Sequence, residues 1–309
     1  MSVRFSSSRL VFSSASAMLA VVIICGSGAQ SISAQQMLAQ ATVGAPTAPR
    51  AGGGGFAQPE PINFDDHDGW TQIFDGTTLD GWDGPTDVWS VADGAIVGTY
   101  DGTRGRPTTY IIWKKGGEHA NFEMKLEIKL EGAGANGGVQ IRSILSPPLP
   151  PSSQQLARVA TMPPEQKTRF EQQQEGQKAV AQWNMKGPQP DFDWINRFTG
   201  NLYEQGTGRG EIAWRGQVVE AKTGQKPRLL GTFADGDALK GYIRVNDWNQ
   251  WQIIASGNTI TQIINGHLMS VFINNDPTIS QTKGLIGLEI EGPGVLKISH
   301  RNMWIKDIK

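Results

Sequence analysis

Thiol chemistry is almost absent from this chain, since Cys25 is the only cysteine in 309 residues. One cysteine excludes an internal disulfide, so the fold must rest on a core, and Cys25 itself lies in a segment that reads as removed on export. Histidines number four, at 67, 119, 267 and 300, with no H-x-x-x-H or similar spacing, which leaves a zinc site without support. Charge of one sign is lacking too: 28 Lys and Arg stand against 29 Asp and Glu, a net of -1. That balance excludes nucleic acid held on a basic surface and an acidic substrate held by bulk charge, so specific polar groups must do any recognising. Long apolar runs are also missing. The run MLAVVIIC at 18–25 is well short of the ~20 residues that span a bilayer, so no stable membrane anchor is expected. No G-x-S-x-G elbow occurs, and no cysteine nucleophile remains once Cys25 is set aside.

The amino-terminal segment has the form of a secretory signal over residues 1–34. Arg4 and Arg9 make a basic start, MLAVVIIC an apolar middle, and GSGA a small-residue cleavage site ending at Ala29. An exported, periplasmic or extracellular protein is expected. Residues 35–62 hold Gln, Ala, Gly and Pro but few large apolar groups, the composition of a flexible linker. Residues 63–309 remain for one large all-β domain.

Within that domain, NFEMKLEIKL at 121–130 alternates apolar Phe122, Met124, Leu126, Ile128 and Leu130 with charged Glu123, Lys125, Glu127 and Lys129, which predicts a half-buried strand. Gly132, Gly134 and Gly137 then form a G-x-G-x-x-G, but a dinucleotide fingerprint needs a helix after the glycines. Instead Val139 and Ile141 alternate with Gln140 and Arg142, so the chain enters a second strand with Arg142 expected on the face opposite the core. Further strands are expected at 87–98, 109–113, 249–257, 259–264, 269–273, 284–292 and 295–308. Asn265-Gly266 between two of them is a strong hairpin signal, because both residues tolerate positive φ. Many short strands with few helices indicate a sandwich or jelly roll. Residues 146–187 depart from this pattern, being proline-rich and then glutamine-rich; they read as an insertion carrying a helix over 165–183, or as a surface loop.

Three polar groupings could carry chemistry. In GLIGLEIEG, Ile286, Leu288 and Ile290 take the buried face and leave Glu289 and Glu291 side by side on the other, where like charges separate their pKa values. A solvated sheet face explains the same pattern. In QPDFDW, Gln189, Asp191 and Asp193 alternate with Pro190 and Phe192, and TGNLYEQGTGRG follows with Asn201, Tyr203, Glu204 and Arg209; planar amides, carboxylates and aromatic rings of this kind bind sugars. FDDHDGW at 64–70 lacks the first and twelfth ligands of a calcium loop and reads as a polar turn leading into the first strand. No cofactor is required by these residues, and a divalent metal is left open.

Eight stretches in order resemble the 3-keto-disaccharide hydrolase domain: WTQIFDGTTLDGW (70–82), W-x-V-x-D-G-A-I-V (89–97), NFEMKLEIKL, ANGGVQIRS, Q-x-D followed by TGNLYEQ, DWNQWQIIASGNTITQIINGH (247–267), KGLIGLEIEGPG and HRNMWIKDI. The resemblance implies a concanavalin-like jelly roll whose concave sheet takes an oligosaccharide or glycoside oxidised at carbon 3. It also implies base-promoted elimination across carbons 1 and 2, followed by hydration. Asp191 is the implied proton-transferring carboxylate, Arg142 the cation for the enolate, and Glu291 a base whose pKa Glu289 raises. Gln189, Asn201, Tyr203, Glu204, Gln140 and Asn136 are the implied substrate-binding set. Relatives often carry Gln-x-His where this chain has Glu289-x-Glu291, so either Glu291 replaces the histidine or binding outlasts catalysis in a carbohydrate-binding module. A two-carboxylate glycosidase would need acids on opposite sides of the bond, which Glu289 and Glu291 could meet only with Asp191 as partner.

Overall fold

The computed structural model describes residues 59–60, 62–102, 108–147 and 150–309; the expected signal segment 1–34 and nearly all of the linker lie outside them. In chain order the strands are β1 (Thr71–Gln72), β2 (Trp82–Asp83), β3 (Trp89–Ala92), β4 (Ala95–Asp101), β5 (Thr109–Trp113), β6 (Phe122–Glu131), β7 (Asn136–Leu145), β8 (Met185–Asp193), β9 (Leu202–Gln205), β10 (Gly210–Ala213), β11 (Gln217–Lys222), β12 (Arg228–Thr232), β13 (Asn249–Ser256), β14 (Thr259–Ile264), β15 (His267–Asn275), β16 (Leu285–Ile290) and β17 (Val295–Asp307). Two sheets form. One of ten strands runs β12-β11-β15-β14-β13-β6-β17-β4-β3 with β1 on β17, and one of seven runs β10-β9-β8-β7-β16-β5-β2. The chain is an all-β sandwich of the jelly-roll class.

Period-two alternation builds the shared core. Phe122, Met124, Leu126 and Ile128 of β6 are fully buried and meet Val139, Ile141, Phe192, Leu202, Leu288 and Ile290 from the seven-stranded sheet. The Phe192 and Trp251 rings lie 5.5 Å apart between the layers. Asn265 and Gly266 take φ of 50° and 79°, the double left-handed conformation of a primed two-residue hairpin, and join β14 to β15. Lys125 departs from the expected solvated face of β6. Its ammonium donates to the carbonyls of Asn63 (3.0 Å) and Asp66 (2.8 Å) and sits 4.3 Å from the Trp70 ring centroid. Burial lowers its pKa, and the turn 64–70 is thereby pinned to the sheet.

The insertion folds into helices. Ser152 caps α1 (Ser153–Ala160) in a reciprocal box with Gln155, and Pro164 opens α2 (Pro164–Ala179), where its missing N–H is no loss. None of the α2 side chains is buried. Attachment falls to the segment that follows it: Met185 packs with Tyr110 and Ile112 on the outer face of the seven-stranded sheet, flanked by Trp183 and Leu285. Trp183 Nε1 donates to Asp83 Oδ1 at 2.9 Å, and a Cβ on Gly287 would collide with Met185 Sδ. The insertion therefore covers one corner of that outer face.

Candidate active site

The outer face of the seven-stranded sheet should be wet, yet over its middle it carries buried acids. In β5, Ile111 and Trp113 face the core while Tyr110 and Ile112 face out; in β16, Glu289 stands directly opposite Tyr110. In β8, Phe192 turns inward and leaves Gln189 and Asp191 outward. Tyr203 of β9 pairs with Gln189 on one side and with Glu211 of β10 on the other. Tyr110, Glu289, Gln189, Asp191, Tyr203 and Glu211 thus make one row drawn from five strands, β5, β16, β8, β9 and β10.

A chain of amides sets the direction of the hydrogen bonds. Ser143 Oγ donates to Gln140 Oε1 at 2.6 Å, and Gln140 Nε2 donates to Gln189 Oε1. Both Gln189 Nε2 hydrogens are then directed at carboxyls, Asp191 Oδ1 at 2.8 Å and Glu289 Oε2 at 2.5 Å. Tyr110 Oη donates to the other Glu289 oxygen at 2.8 Å. The glycine pair after Asn136 makes this reach feasible. A Cβ on Gly138 would lie 2.9 Å from Gln189 Cγ and 3.0 Å from its Nε2, so only glycine lets that side chain lie across β7. Glu291, one residue beyond β16, is held at the rim by Asn136 Nδ2 (3.0 Å) and Thr108 Oγ1 (2.5 Å).

Electrostatics follow from burial. Loss of water around Glu289 pushes its carboxyl up to about 8, with the Glu291 charge adding to the rise and the Tyr110 and Gln189 donors opposing it. Asp191 is likewise pushed well above the ordinary carboxylate range, by burial first and by Glu211 and Glu289 after it. Glu211 rises to about 7, chiefly through burial, with hydrogen bonding to Asp191 and Asn201 opposing the rise. Burial and the neighbouring acids keep the Tyr110 and Tyr203 hydroxyls protonated, hence donors. The row holds protons near neutral pH and can give or take them there.

Two expected residues do not belong to it. Arg142 has φ of 46°, and the β7 ladder shifts register around it, so the alternation slips and its side chain leaves the face that carries Gln140. Its guanidinium donates to the carbonyls of Ala120 (2.5 Å) and Gly257 (2.7 Å) and to Asn121 Oδ1 (3.1 Å), in loops at the end of the ten-stranded sheet. It is a tie between layers, not a cation for an enolate. Glu204 shares the inward side of β9 with buried Leu202 and accepts both prongs of Arg209, Nη2 at 2.5 Å and Nε, with Thr207 Oγ1 at 3.1 Å. A third expectation is changed in detail, because Glu289 is an acid pushed up, by burial first and by the Glu291 charge after it. Asn201 sits at the edge of the row: its Oδ1 accepts from the Arg215 N–H at 2.8 Å while its Nδ2 turns toward Glu211. Asp193 is taken up in its own turn, accepting from the Phe198 and Thr199 amides at 2.7 and 2.9 Å.

Tyr110, Ser143, Thr108 and Glu211 were not legible in the sequence as site residues. Glu211 stood in the glycine-rich GTGRGEIAW, where the short alternation of Glu211 and Ala213 around Ile212 was the one available signal. Among the described residues no three acid, histidine or cysteine groups converge as metal ligands. A cleft of about 610 Å³ lies elsewhere, lined by Phe74, Trp113, Lys115, His119, Lys306 and Asp307, and none of the row opens into it.

None of the curated proteins compared with the chain matches it. Solved structures similar to it include a proposed glycosyl hydrolase from Parabacteroides distasonis (17% identity, 78% of this chain and 95% of that one, TM-score 0.42). The carbohydrate-binding module CBM66 from Bacillus subtilis is similar at 11% identity over 74% and 96%, with a TM-score of 0.41. A Bacillus licheniformis β-glucanase is similar at 10% over 78% and 99%, with 0.38. At these scores the likenesses assign neither an activity nor a ligand. A family model does more: the 3-keto-alpha-glucoside-1,2-lyase-like domain matches residues 69–306, and the chain belongs to that family.

Proposed function

We propose that the outer face of the seven-stranded sheet binds a glycoside already oxidised at carbon 3 and expels its aglycone by elimination. The observation that carries this reading is the row of buried carboxyls held ready to exchange protons near neutral pH, in a chain of this family. A carbonyl at carbon 3 acidifies the proton on carbon 2, so a carboxylate of raised basicity suffices as base. Asp191 fits that role, oriented by Gln189. With Arg142 turned away, the enolate oxygen needs a neutral donor, and the half-exposed Tyr203 hydroxyl supplies one. Water then adds to the unsaturated ketone to complete a net hydrolysis. The signal-like residues 1–34 support export to the periplasm or beyond as the setting.

A second reading, a carbohydrate-binding module, is favoured by one observation: no histidine and no arginine stands among the row residues, so the face is rich in hydrogen-bonding groups and poor in cations. Incubation with a 3-keto-glucoside of a chromogenic aglycone, beside the unoxidised glucoside and with and without a chelator, separates the two. Release from the keto form alone supports elimination, and chelator sensitivity would add a metal to it. Binding by calorimetry with no release from either sugar would leave the binding module.

A further inference from the structure

We propose that Glu211 is the acid that protonates the departing aglycone, acting with Asp191 as a pair that shares one proton; this rests on the elimination reading above.

The placement comes from three neighbouring strands. Ile212 of β10 packs into the core, which turns Glu211 to the outer face opposite Tyr203, and Tyr203 in turn lies opposite Gln189. Asp191 is on that same face, and its carboxyl and that of Glu211 are near enough to shift one another's protonation. Two carboxylates are both acceptors, so the contact is a bond only while one carries a proton. Glu211 Oε2 and Asn201 Nδ2 are both buried and neighbours, yet neither has a partner in hydrogen-bond geometry. These orphaned atoms belong to a site whose partner arrives from outside the chain. Glu211 is also the more open of the two acids, whereas Asp191 has one oxygen taken by Gln189.

The proton balance closes within the pair. At rest the shared proton lies on Asp191, which donates to Glu211; its passage to Glu211 across that contact leaves Asp191 charged and starts the step. The carbon 2–hydrogen bond breaks, its proton goes to Asp191, and the electron pair moves into the enolate at carbons 2 and 3. Collapse of the enolate restores the carbon 3 carbonyl, forms the carbon 1–carbon 2 double bond and breaks the bond from carbon 1 to the aglycone oxygen, which takes the proton of Glu211. The pair still holds one proton, again on Asp191, where it lay at rest. No oxidant, reductant or third proton carrier is needed; Tyr203 only donates a hydrogen bond to the enolate oxygen.

The test compares two aglycones on the purified chain, methyl and 4-nitrophenyl 3-keto-glucoside, in wild type, E211Q and D191N, with thermal melts to confirm folding. Nitrophenolate leaves without help and methanol does not, so E211Q should lose about 100-fold more rate on the methyl substrate than on the nitrophenyl one. D191N should lose rate on both alike. The alkaline fall of the wild-type rate, where Glu211 gives up its proton, should vanish in E211Q and return in E211D. Equal loss on both aglycones, or none on either, overturns the acid role while elimination by Asp191 stands. If the folded wild type releases neither aglycone, elimination itself falls and the acid role falls with it.

Discussion

A carboxyl enclosed by sheet and flanked by other acids keeps its proton well past the pH at which water would remove it, and Glu289 shows how a single side chain is held so. Tyr110 and Gln189 each donate to it, yet burial outweighs both and sets its pKa at about 8. Folded Glu289 therefore binds a proton between about pH 4.5 and 8 that the unfolded chain has released, so its contribution to stability is full below the lower value and lost as pH rises through the upper. E289Q, which imitates the protonated acid, should match the wild type near pH 4.5 and exceed it by roughly 5 kcal/mol at pH 8.5, read from urea unfolding. Arg142 makes the opposite case, a charged group whose worth is mechanical. In R142M the carbonyls of Ala120 and Gly257 lose their donor, and stability should fall by about 2–4 kcal/mol. Calorimetric affinity of the folded variant for a 3-keto-glucoside should stay within about twofold, whereas a cation over the enolate would show a large change in turnover.

Elements were legible in the sequence wherever period two ran unbroken. β6, the outward position of Glu289 and the shared face of Gln189 and Asp191 follow from alternation, and the Asn265-Gly266 hairpin follows from two residues that tolerate positive φ. β7 shows where the reading stops. One residue at positive φ reverses the parity of the strand, and a pattern of residue types carries no sign of that, since arginine does not advertise a left-handed backbone. Glu211 escaped for a different reason: β10 is four residues long beside glycines, too short for a period to emerge. The insertion divides in the same physical terms. α2 buries nothing, so glycines at Gln172 and Gln173 should fray it, seen as lost helical circular dichroism, while the melting temperature of the sheets stays within about 1 °C. Trp183 closes the Tyr110, Ile112 and Met185 cluster, and W183A should lower global stability by about 2–3 kcal/mol.

Over the whole molecule two sets of buried groups pull stability in opposite directions along the pH axis. Glu289, Glu211 and Asp191 have folded pKa values above their unfolded ones, so together they make stability fall as pH rises from about 4.5 to about 8. His300 opposes them at lower pH. It lies in the core beside Trp89 with both ring nitrogens unpartnered, and burial lowers its pKa from 6.5 to about 3. Between those values the unfolded chain binds a proton that the folded one refuses, so this group makes stability rise with pH across that window. Three acids outweigh one histidine where the windows overlap, which puts the stability maximum near pH 4.5, well to the acid side of neutral. H300L tests the balance: it removes two buried polar atoms without removing much volume, and should raise stability by about 1–3 kcal/mol near pH 4 and progressively less toward pH 7. An H300L gain independent of pH would mean that His300 titrates alike in the folded and unfolded chain. A profile of unfolding free energy from pH 3 to 9 that peaked above pH 7 would mean that the acids of the outer face ionise as if water reached them, and the proton chemistry assigned to that face would lose its physical basis.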